Sequence, residues 1–280
     1  MTRKKVAIFG SEGMVGTAVS HHLADVGMDV KNLPRSVYEI GRDHVDSLDL
    51  TNFDFVINAA GMINRPAREA LSEAAFIQVN TTFPHDLARH CSKAKARLIH
   101  ISTDCVFDGA DGAYDEASPT NGMGIYSQTK QAGEPNEANE AMVLRMSMVG
   151  PERKNYYSLL CWFLAQDQSC NGFTDHLWNG LTTMAVARMM ARIIDADLYV
   201  TGTRHVLTQD ISKYNLLLAF RDVFSHSIDI SLTVSAKPRD MRLRTQYPDF
   251  LASLNLPPLA EQIAELSTYS DARGHWKPPY

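Results

Sequence analysis

An α/β fold, a doubly wound parallel sheet with a small C-terminal lobe, is what this sequence predicts, and three observations predict it. Short apolar runs alternate with amphipathic segments through the first half of the chain. Those runs are apolar almost throughout, as strands buried on both faces must be. A glycine-rich turn, Gly10-Ser-Glu-Gly13-Met-Val-Gly16, joins the first run to the first amphipathic segment. In order, Lys5–Phe9 reads as a strand, Met14–Val26 as a helix, and Asp29–Leu33 and Phe55–Asn58 as strands. Glu69–Thr81 and Pro84–Ala94 read as helices, and Arg97–Ser102 as a strand ending in Ser-Thr-Asp. Phe107–Gly124 is rich in Gly, Asp and Pro and reads as a loop. A helix over Ile125–Ala138 and a strand over Met142–Met146 close this half.

The pattern then changes. Asn155–Gln166 reads as a helix, Cys170–Gly180 as a polar-aromatic loop, Met184–Asp195 as a helix, Tyr199–Thr201 as a strand and Ile211–Phe224 as a helix; a proline-bearing remainder ends in a polar tail. Residues 1–150 are therefore expected to form a dinucleotide-binding domain. Residues 151–280 are expected to form mainly a substrate-binding lobe, with about 181–207 returning to the sheet.

Composition narrows the classes. The chain has 280 residues, a formal charge of -5, 45% hydrophobic and 21% charged residues, ordinary for a globular protein. No Lys/Arg block rises above the opening Met-Thr-Arg-Lys-Lys, which disfavours nucleic acid as the partner. No apolar stretch approaches a membrane span or a signal-peptide core, so no membrane partner and a cytoplasmic location are expected. Cys91, Cys105, Cys161 and Cys170 form no C-x-x-C pair and are read as reduced thiols. No metal site is expected.

The glycine turn carries the first chemistry. Gly10 permits a tight turn, Gly13 lets a pyrophosphate approach the backbone, and Gly16 lets helix and strand pack closely, with Met14 and Val15 opening a helix whose N-terminus faces the phosphates. The spacing is one residue longer than G-x-G-x-x-G, but a strand before it and a helix after it fit a Rossmann dinucleotide site. An acid after the second strand would select NAD(H); here Leu33-Pro34-Arg35-Ser36 stands instead. Arg35, with Ser36, fits a 2′-phosphate, so NADP(H) is the preferred cofactor and NAD(H) the alternative; a solvated surface role for Arg35 is the plain competing reading. Asp49, beside Leu50, reads as an adenine contact or as a turn acid bonding local backbone. Ala59, Ala60 and Gly61 leave room for a cofactor near backbone. Asn80 reads as a cofactor contact or a buried structural amide.

Tyr126-Ser-Gln-Thr-Lys130 is the sharpest chemical feature. Residues four apart share one side of a helix. A phenol with a reference pKa of about 10 needs help to work near neutrality, and an ammonium beside it favours the phenolate. The pair can then give a proton to a carbonyl oxygen or take one from an alcohol. Tyr-x-x-x-Lys is common by chance, but Ser102 and Thr103 end a strand expected to neighbour the glycine-turn strand. Their hydroxyls then reach the carboxyl edge where ligands bind. A hydroxyl, a tyrosine and a lysine over a dinucleotide turn make a hydride-transfer site. Asp104 and Asp108 flank it.

On these residues the chain resembles the extended short-chain dehydrogenase/reductases, and most closely their dTDP-4-dehydrorhamnose reductase (RmlD-like sugar-nucleotide-binding) branch. The resemblance rests on Gly10/Gly13/Gly16, Asn58-Ala-Ala-Gly61, Val79-Asn80, Ile101-Ser-Thr-Asp-Cys-Val-Phe-Asp-Gly109, Tyr126-Ser-Gln-Thr-Lys130-Gln-Ala-Gly-Glu134 and Ile211-Ser-Lys-Tyr-Asn-Leu-Leu217. It covers the first 150 or so residues well and the rest loosely. It implies hydride transfer to C4 of a nucleotide-linked 4-keto-6-deoxysugar. Thr103 would hold the keto oxygen, Tyr126 would protonate it, and Lys130 would tune Tyr126 and bind the nicotinamide ribose. A homodimer is the assembly usual for the superfamily.

The chain departs from that branch in three places. Cys105 replaces the usual Tyr, Ser127 replaces a common Gly, and Arg145–Gly180 follows the branch poorly, which leaves the sugar open. Two other functions compete. An epimerase-reductase of the GDP-fucose synthase type would use Cys105 and His176. A non-catalytic NADP-binding subunit resembles the regulatory subunit of methionine adenosyltransferase. Asp104, Cys105, Val106, Phe173, His176, Trp178 and Asn179 are the candidate substrate contacts. Trp162 and Phe163 read mainly as core, and Arg145, Arg239, Arg242 and Arg244 are candidates for a substrate diphosphate.

Overall fold

A computed structural model describes residues 3–63, 72–135, 140–152 and 156–273. β1 (Lys5–Phe9), α1 (Met14–Asp25), β2 (Asp29–Leu33) and β3 (Phe55–Asn58) come first. α2 (Glu73–Ile77) passes through one π turn, Gln78–Thr82, into α3 (Phe83–Ala94). β4 (Arg97–Ile101) ends in a 3-10 turn at Asp104–Val106, and α4 (Ile125–Ala132) and β5 (Ala141–Arg145) follow. The second half holds β6 (Met148–Val149), α5 (Leu159–Leu164), β7 (Ser169–Phe173), β8 (His176–Trp178), β9 (Leu181–Thr182) and α6 (Thr183–Asp195). It continues through β10 (Gly202–His205), β11 (Ile211–Ser212), α7 (Lys213–Val223), β12 (Asp229–Thr233), β13 (Arg239–Asp240), α8 (Pro248–Ser253) and α9 (Leu259–Arg273).

Six strands form one parallel sheet in the order β10-β5-β4-β3-β1-β2. Period-two alternation decides which core each residue enters. On β1, Val6 and Ile8 join the layer containing α1 and α6, whereas Ala7 and Phe9 join the layer containing α3. β2 is the edge strand, and Asp29, Lys31 and Asn32 are exposed on it. Gly202–His205 pairs in register with Met142–Arg145, so the chain crosses back from the lobe to complete the sheet. Among the described residues no helix is long and apolar enough to cross a membrane.

The structure corrects several expectations. The strand that ends at Ser102-Thr103 does not neighbour β1, because β3 lies between β1 and β4. Residues 34–54 contribute no strand beyond β2, and Phe55–Asn58 takes the place beside β1. Cys170–Gly180 is not a loop: β7 pairs with β12, and β8 lies between β11 and β13. The alternate burial of Cys170 and Gly172 on β7 is the signal of a half-buried strand, and its partner comes from the segment that reads as featureless. The returning strand starts at Gly202 rather than Tyr199. Tyr199 instead packs edge-on to Phe55 at 6.0 Å between ring centroids. The helix read from Ile125 stops at Ala132, Ile211–Ser212 forms a short strand ahead of α7, and the helix read from Asn155 starts at Leu159 after its Ser158 cap. Residues 69–71, 136–138 and 155 of the expected helices lie outside the described residues.

The π turn packs against the end of α4. Thr81 Oγ1 donates to the Thr129 carbonyl at 2.8 Å, and a Cβ added to Gly133 would lie 1.7 Å from the Asn80 carbonyl oxygen. That obstacle is backbone and has no soft side chain to yield. Gly133→Ala is expected to cost about 1–3 kcal/mol, the usual range for overpacking, seen as a lower urea midpoint. An unchanged midpoint would contradict this contact.

Candidate active site at the carboxyl edge of the sheet

The glycine turn is built as its spacing requires. Gly10 has φ +71°, and a Cβ there would lie 2.6–2.7 Å from the backbone of Ala59 and Ala60. A Cβ on Gly16 would lie 2.1 Å from the Gly10 carbonyl oxygen. The Gly13 amide donates to that carbonyl at 2.9 Å. Gly13 itself is exposed and caps α1 without a side-chain bond, and the first turn of α1 carries no acid. Helix-end amides facing outward from a backbone-lined turn suit an anion such as a diphosphate. Arg35 stands at the end of β2 with its side chain 82% exposed, held by a two-nitrogen contact with Glu39 at 2.6–2.8 Å. Ser36 beside it is exposed.

The chemical groups gather past β4. Tyr126 lies beside Thr103. Thr103 Oγ1 accepts from the Cys105 amide at 3.1 Å and donates to Asp104 at 3.2 Å. Burial raises the Tyr126 phenol above its ordinary value, helped by Cys105 and Asp104, while the neighbouring Thr103 hydroxyl opposes the rise. Burial also raises the Asp104 carboxyl, against bonds from Ser147, Thr103 and Cys105. The Cys105 thiol is pushed up to about 12 by burial and by Asp104.

Lys130 is on the same helix as Tyr126 but serves a different neighbourhood. Its Nζ donates to the Ile101 carbonyl at 2.9 Å and lies 3.5 Å from His100 Nε2. With 4% of its surface exposed, it is lowered by burial to about 8, and Glu134 opposes that fall. The expectation that Lys130 lowers Tyr126 is therefore corrected: the phenol stands above its ordinary value, and the group opposing the rise is Thr103.

Other expected contacts have their polar atoms committed within the protein. Ser102 donates to Glu134 at 2.5 Å. Asp49 accepts from the Thr51 amide and hydroxyl and from Asn52, so it acts as the turn acid, and Leu50 is core. Asn80 is a buried structural amide: it bonds both backbone groups of Met62 and the Thr129 hydroxyl, tying the loop after β3 to α4. Val106 is core with Phe107, Tyr114 and Leu243. Asn179 is buried and spends its amide on Leu243 and Asp210. Arg145 is buried in a forked pair with Glu134, and Arg242 and Arg244 are paired with Asp210, so these three do not stand ready for a diphosphate. Arg239 faces this region, near Asp108 and Cys105. Phe173 stacks on His176 at 4.6 Å, and His176 Nε2 lies 3.2 Å from the Lys237 carbonyl. Trp178 is half-buried. Phe163 is core, while Trp162 is 36% exposed beneath the Lys213 ammonium.

The sequence reading missed His100. It sits in the apolar run Leu98-Ile-His100-Ile, is fully buried, and joins Lys130 to Asn58. A polar side chain on a two-sided buried strand was the signal, because such a group must be paired. Among the described residues no group of three His, Cys, Asp or Glu side chains is arranged to hold a metal ion.

A parallel sheet with a glycine turn at one strand end and a Thr–Tyr–Lys set at another is a doubly wound Rossmann-type architecture. Residues 4–240 match the family described as "RmlD substrate binding domain", and the chain belongs to that family. It is similar to a dTDP-4-dehydrorhamnose reductase of Mycobacterium tuberculosis, 35% identical over 136 residues, covering 47% of this chain and 44% of that one. It is also similar to a probable low-salt glycan biosynthesis reductase of Haloferax volcanii, 34% identical over 175 residues, covering 59% and 57%. The chain thus spans about half the length of these curated relatives. A dTDP-4-dehydrorhamnose reductase of Bacillus anthracis, solved with NADP, shares the fold with a TM-score of 0.80 over 96% of this chain and 99% of that one, at 19% identity.

Burying Lys130 costs stability, and the sign can be worked out. Its folded value, about 8, lies below the unfolded 10.5, so below pH 8 both states are protonated and the penalty is complete. The unfolded state binds more protons between those values, so the penalty fades as pH rises and is gone above 10.5. Lys130→Met is expected to be more stable than the native chain at pH 7 by on the order of 2 kcal/mol. Its advantage should shrink through that window in urea titrations; an advantage independent of pH would contradict the assignment.

Proposed function

We propose that this chain is an NAD(P)H-dependent reductase of a nucleotide-linked 4-keto-6-deoxysugar, adding hydride to C4. The observation that carries the reading is the placing of Tyr126 beside Thr103, on the same helix as the buried Lys130 and at the carboxyl edge that also bears the glycine turn. The family match and the reductase relatives support it.

Gly10, Gly13 and the amides opening α1 would hold the diphosphate of the dinucleotide, and Arg35 with Ser36 would meet a ribose 2′-phosphate. A reduced nicotinamide supplies the hydride. This chain's residues manage the proton and the charge. Thr103 orients the keto oxygen. Tyr126, kept protonated by its burial, gives its proton to that oxygen as negative charge develops there, so a C–H and an O–H bond form and the carbonyl becomes an alcohol. Lys130 would meet the nicotinamide ribose. Arg239 is the arginine placed to meet substrate charge.

The epimerase-reductase reading would need Cys105 to exchange a proton beside the ketone. A thiol held near 12 by burial and by a neighbouring carboxyl is a poor base near neutrality, and this favours simple reduction. A non-catalytic subunit would have no need of a protonated phenol beside Thr103.

Tyr126→Phe keeps the ring and removes the acid. Turnover of a 4-keto-6-deoxysugar nucleotide should fall by roughly 10²–10⁴-fold, with dinucleotide affinity nearly unchanged; full activity would overturn the mechanism. Arg35→Ala should weaken NADPH binding roughly tenfold to a hundredfold, as loss of a charged hydrogen bond does, and leave NADH unchanged. Equal losses for both cofactors would remove the 2′-phosphate assignment.

A further inference from the structure

Asn58, His100 and Lys130 form a buried chain on β3, β4 and α4 whose proton positions can be deduced. The Ala60 amide donates to Asn58 Oδ1 at 3.1 Å. That amide can only donate, so Oδ1 is the acceptor and the Asn58 Nδ2 group must face His100, 3.1 Å from Nδ1. A donor facing Nδ1 requires a lone pair there. Burial, with Lys130 and His85 adding to it, drives His100 far below its ordinary range and keeps it neutral, so its one proton sits on Nε2. Nε2–H therefore points at Lys130 Nζ, 3.5 Å away.

A neutral amine fits this position: it donates to the Ile101 carbonyl and offers its lone pair to Nε2–H. An ammonium is accommodated less well, because it has no lone pair and turns a third N–H toward the histidine N–H. We propose that Asn58 and His100 form a tautomer lock that holds Nε2–H against Lys130, making His100 a positioning residue that sets when the lysine of this site takes up its charge. His205, the histidine on β10, is built the other way. Its Nδ1 contacts the Tyr114 and Arg244 carbonyls at 3.2 and 2.9 Å, and its Nε2 lone pair faces Arg145 at 3.4 Å. A lone pair toward a cation is the ordinary arrangement; His100 presents a donor.

The other charged groups around Lys130 are few. Glu134, just beyond α4, favours the ammonium but is itself forked to Arg145 on β5. His85 on α3 acts on His100, and its Nε2 lies 2.8 Å from the Ala132 carbonyl. Tyr126 lies one turn away on α4, and Asp104 acts on Tyr126 rather than on Lys130. The lysine is thus least charged when nothing but protein surrounds it, and a hydroxyl able to accept from Nζ would favour the ammonium.

The proposal rests on Lys130 being the site's functional lysine, but its test needs no sugar. In full-length protein carrying ¹⁵N-labelled histidine, His100 should show a bare Nδ1 and a protonated Nε2 from pH 6 to 9. A protonated Nδ1, or an imidazolium in that range, would overturn the lock. Asn58→Asp places an acceptor against Nδ1 and should transfer the proton there, and the Lys130 side-chain ¹⁵N titration should move up by on the order of one pH unit or more. Retention of the Nε2–H tautomer with an unmoved lysine in a folded Asn58→Asp protein would also overturn it. If that variant does not fold, the native tautomer decides alone. Loss of reductase activity on every sugar tested would bear on the proposed function and leave this reading intact.

Discussion

A lysine cannot lie at the end of a buried parallel strand unless its neighbours are arranged for it, and much of this site is that arrangement. Lys130 reaches back under β4 to the Ile101 carbonyl. Ile101 has a carbonyl to offer because the ladder ends there: the next amide, Ser102, still bonds Leu144, and Thr103 turns into the 3-10 segment. His100 and Asn58 fill the space inward of the amine, and Glu134 with Arg145 supplies charge on the outward side. Substituting Asn58, His100, Glu134 or Arg145 alone leaves a polar group in a dry place, which costs more than the bond it made is worth.

The same logic joins the sheet to the lobe. Arg145 ends β5, forks onto Glu134, lies 5.5 Å over the Phe107 ring and faces His205 on β10. His205 in turn bonds the Tyr114 and Arg244 carbonyls, while Glu116 accepts from the His205 amide and from Thr245 and Gln246. The loop after Thr103 and the segment after β13 are thereby tied to the strand ends that carry the candidate site. Asn179 adds a further tie by bonding both backbone groups of Leu243.

The first half of the chain was legible because most elements there follow a local rule. β1, β3 and β4 are short apolar runs, the glycines stand where backbone meets backbone, and Tyr126 and Lys130 share a helix. What did not show is what depends on partners far along the chain. β7 and β8 needed β12, β11 and β13, drawn from stretches without a strong period of their own. The neighbour of β1 could not be read either, since it turned on residues 34–54 adding no strand. The charged residues misled for a related reason. Arg145, Arg242 and Arg244 look available in one dimension, and only folding reveals that Glu134, Asp210 and Asp240 already hold them.

That pairing also shapes the surface beside the candidate site. Arg242 and Arg244 both contact Asp210, and Arg242 also forks onto Asp240. The cluster of two arginines and two acids is close to neutral, and its rigidity fixes Leu243 in the small core with Val106 and Phe107. A Cβ on Gly109 would lie 2.6 Å from the Met241 sulfur, and one on Gly112 would lie 2.2 Å from the Asp240 carboxyl, so the loop after the 3-10 turn and the segment after β13 are closely fitted. Arg239 is the member left turned toward Cys105 and the Asp108 carbonyl. Three of the four arginines therefore hold the architecture, and Arg239 is the one that it leaves facing Cys105 and the candidate site.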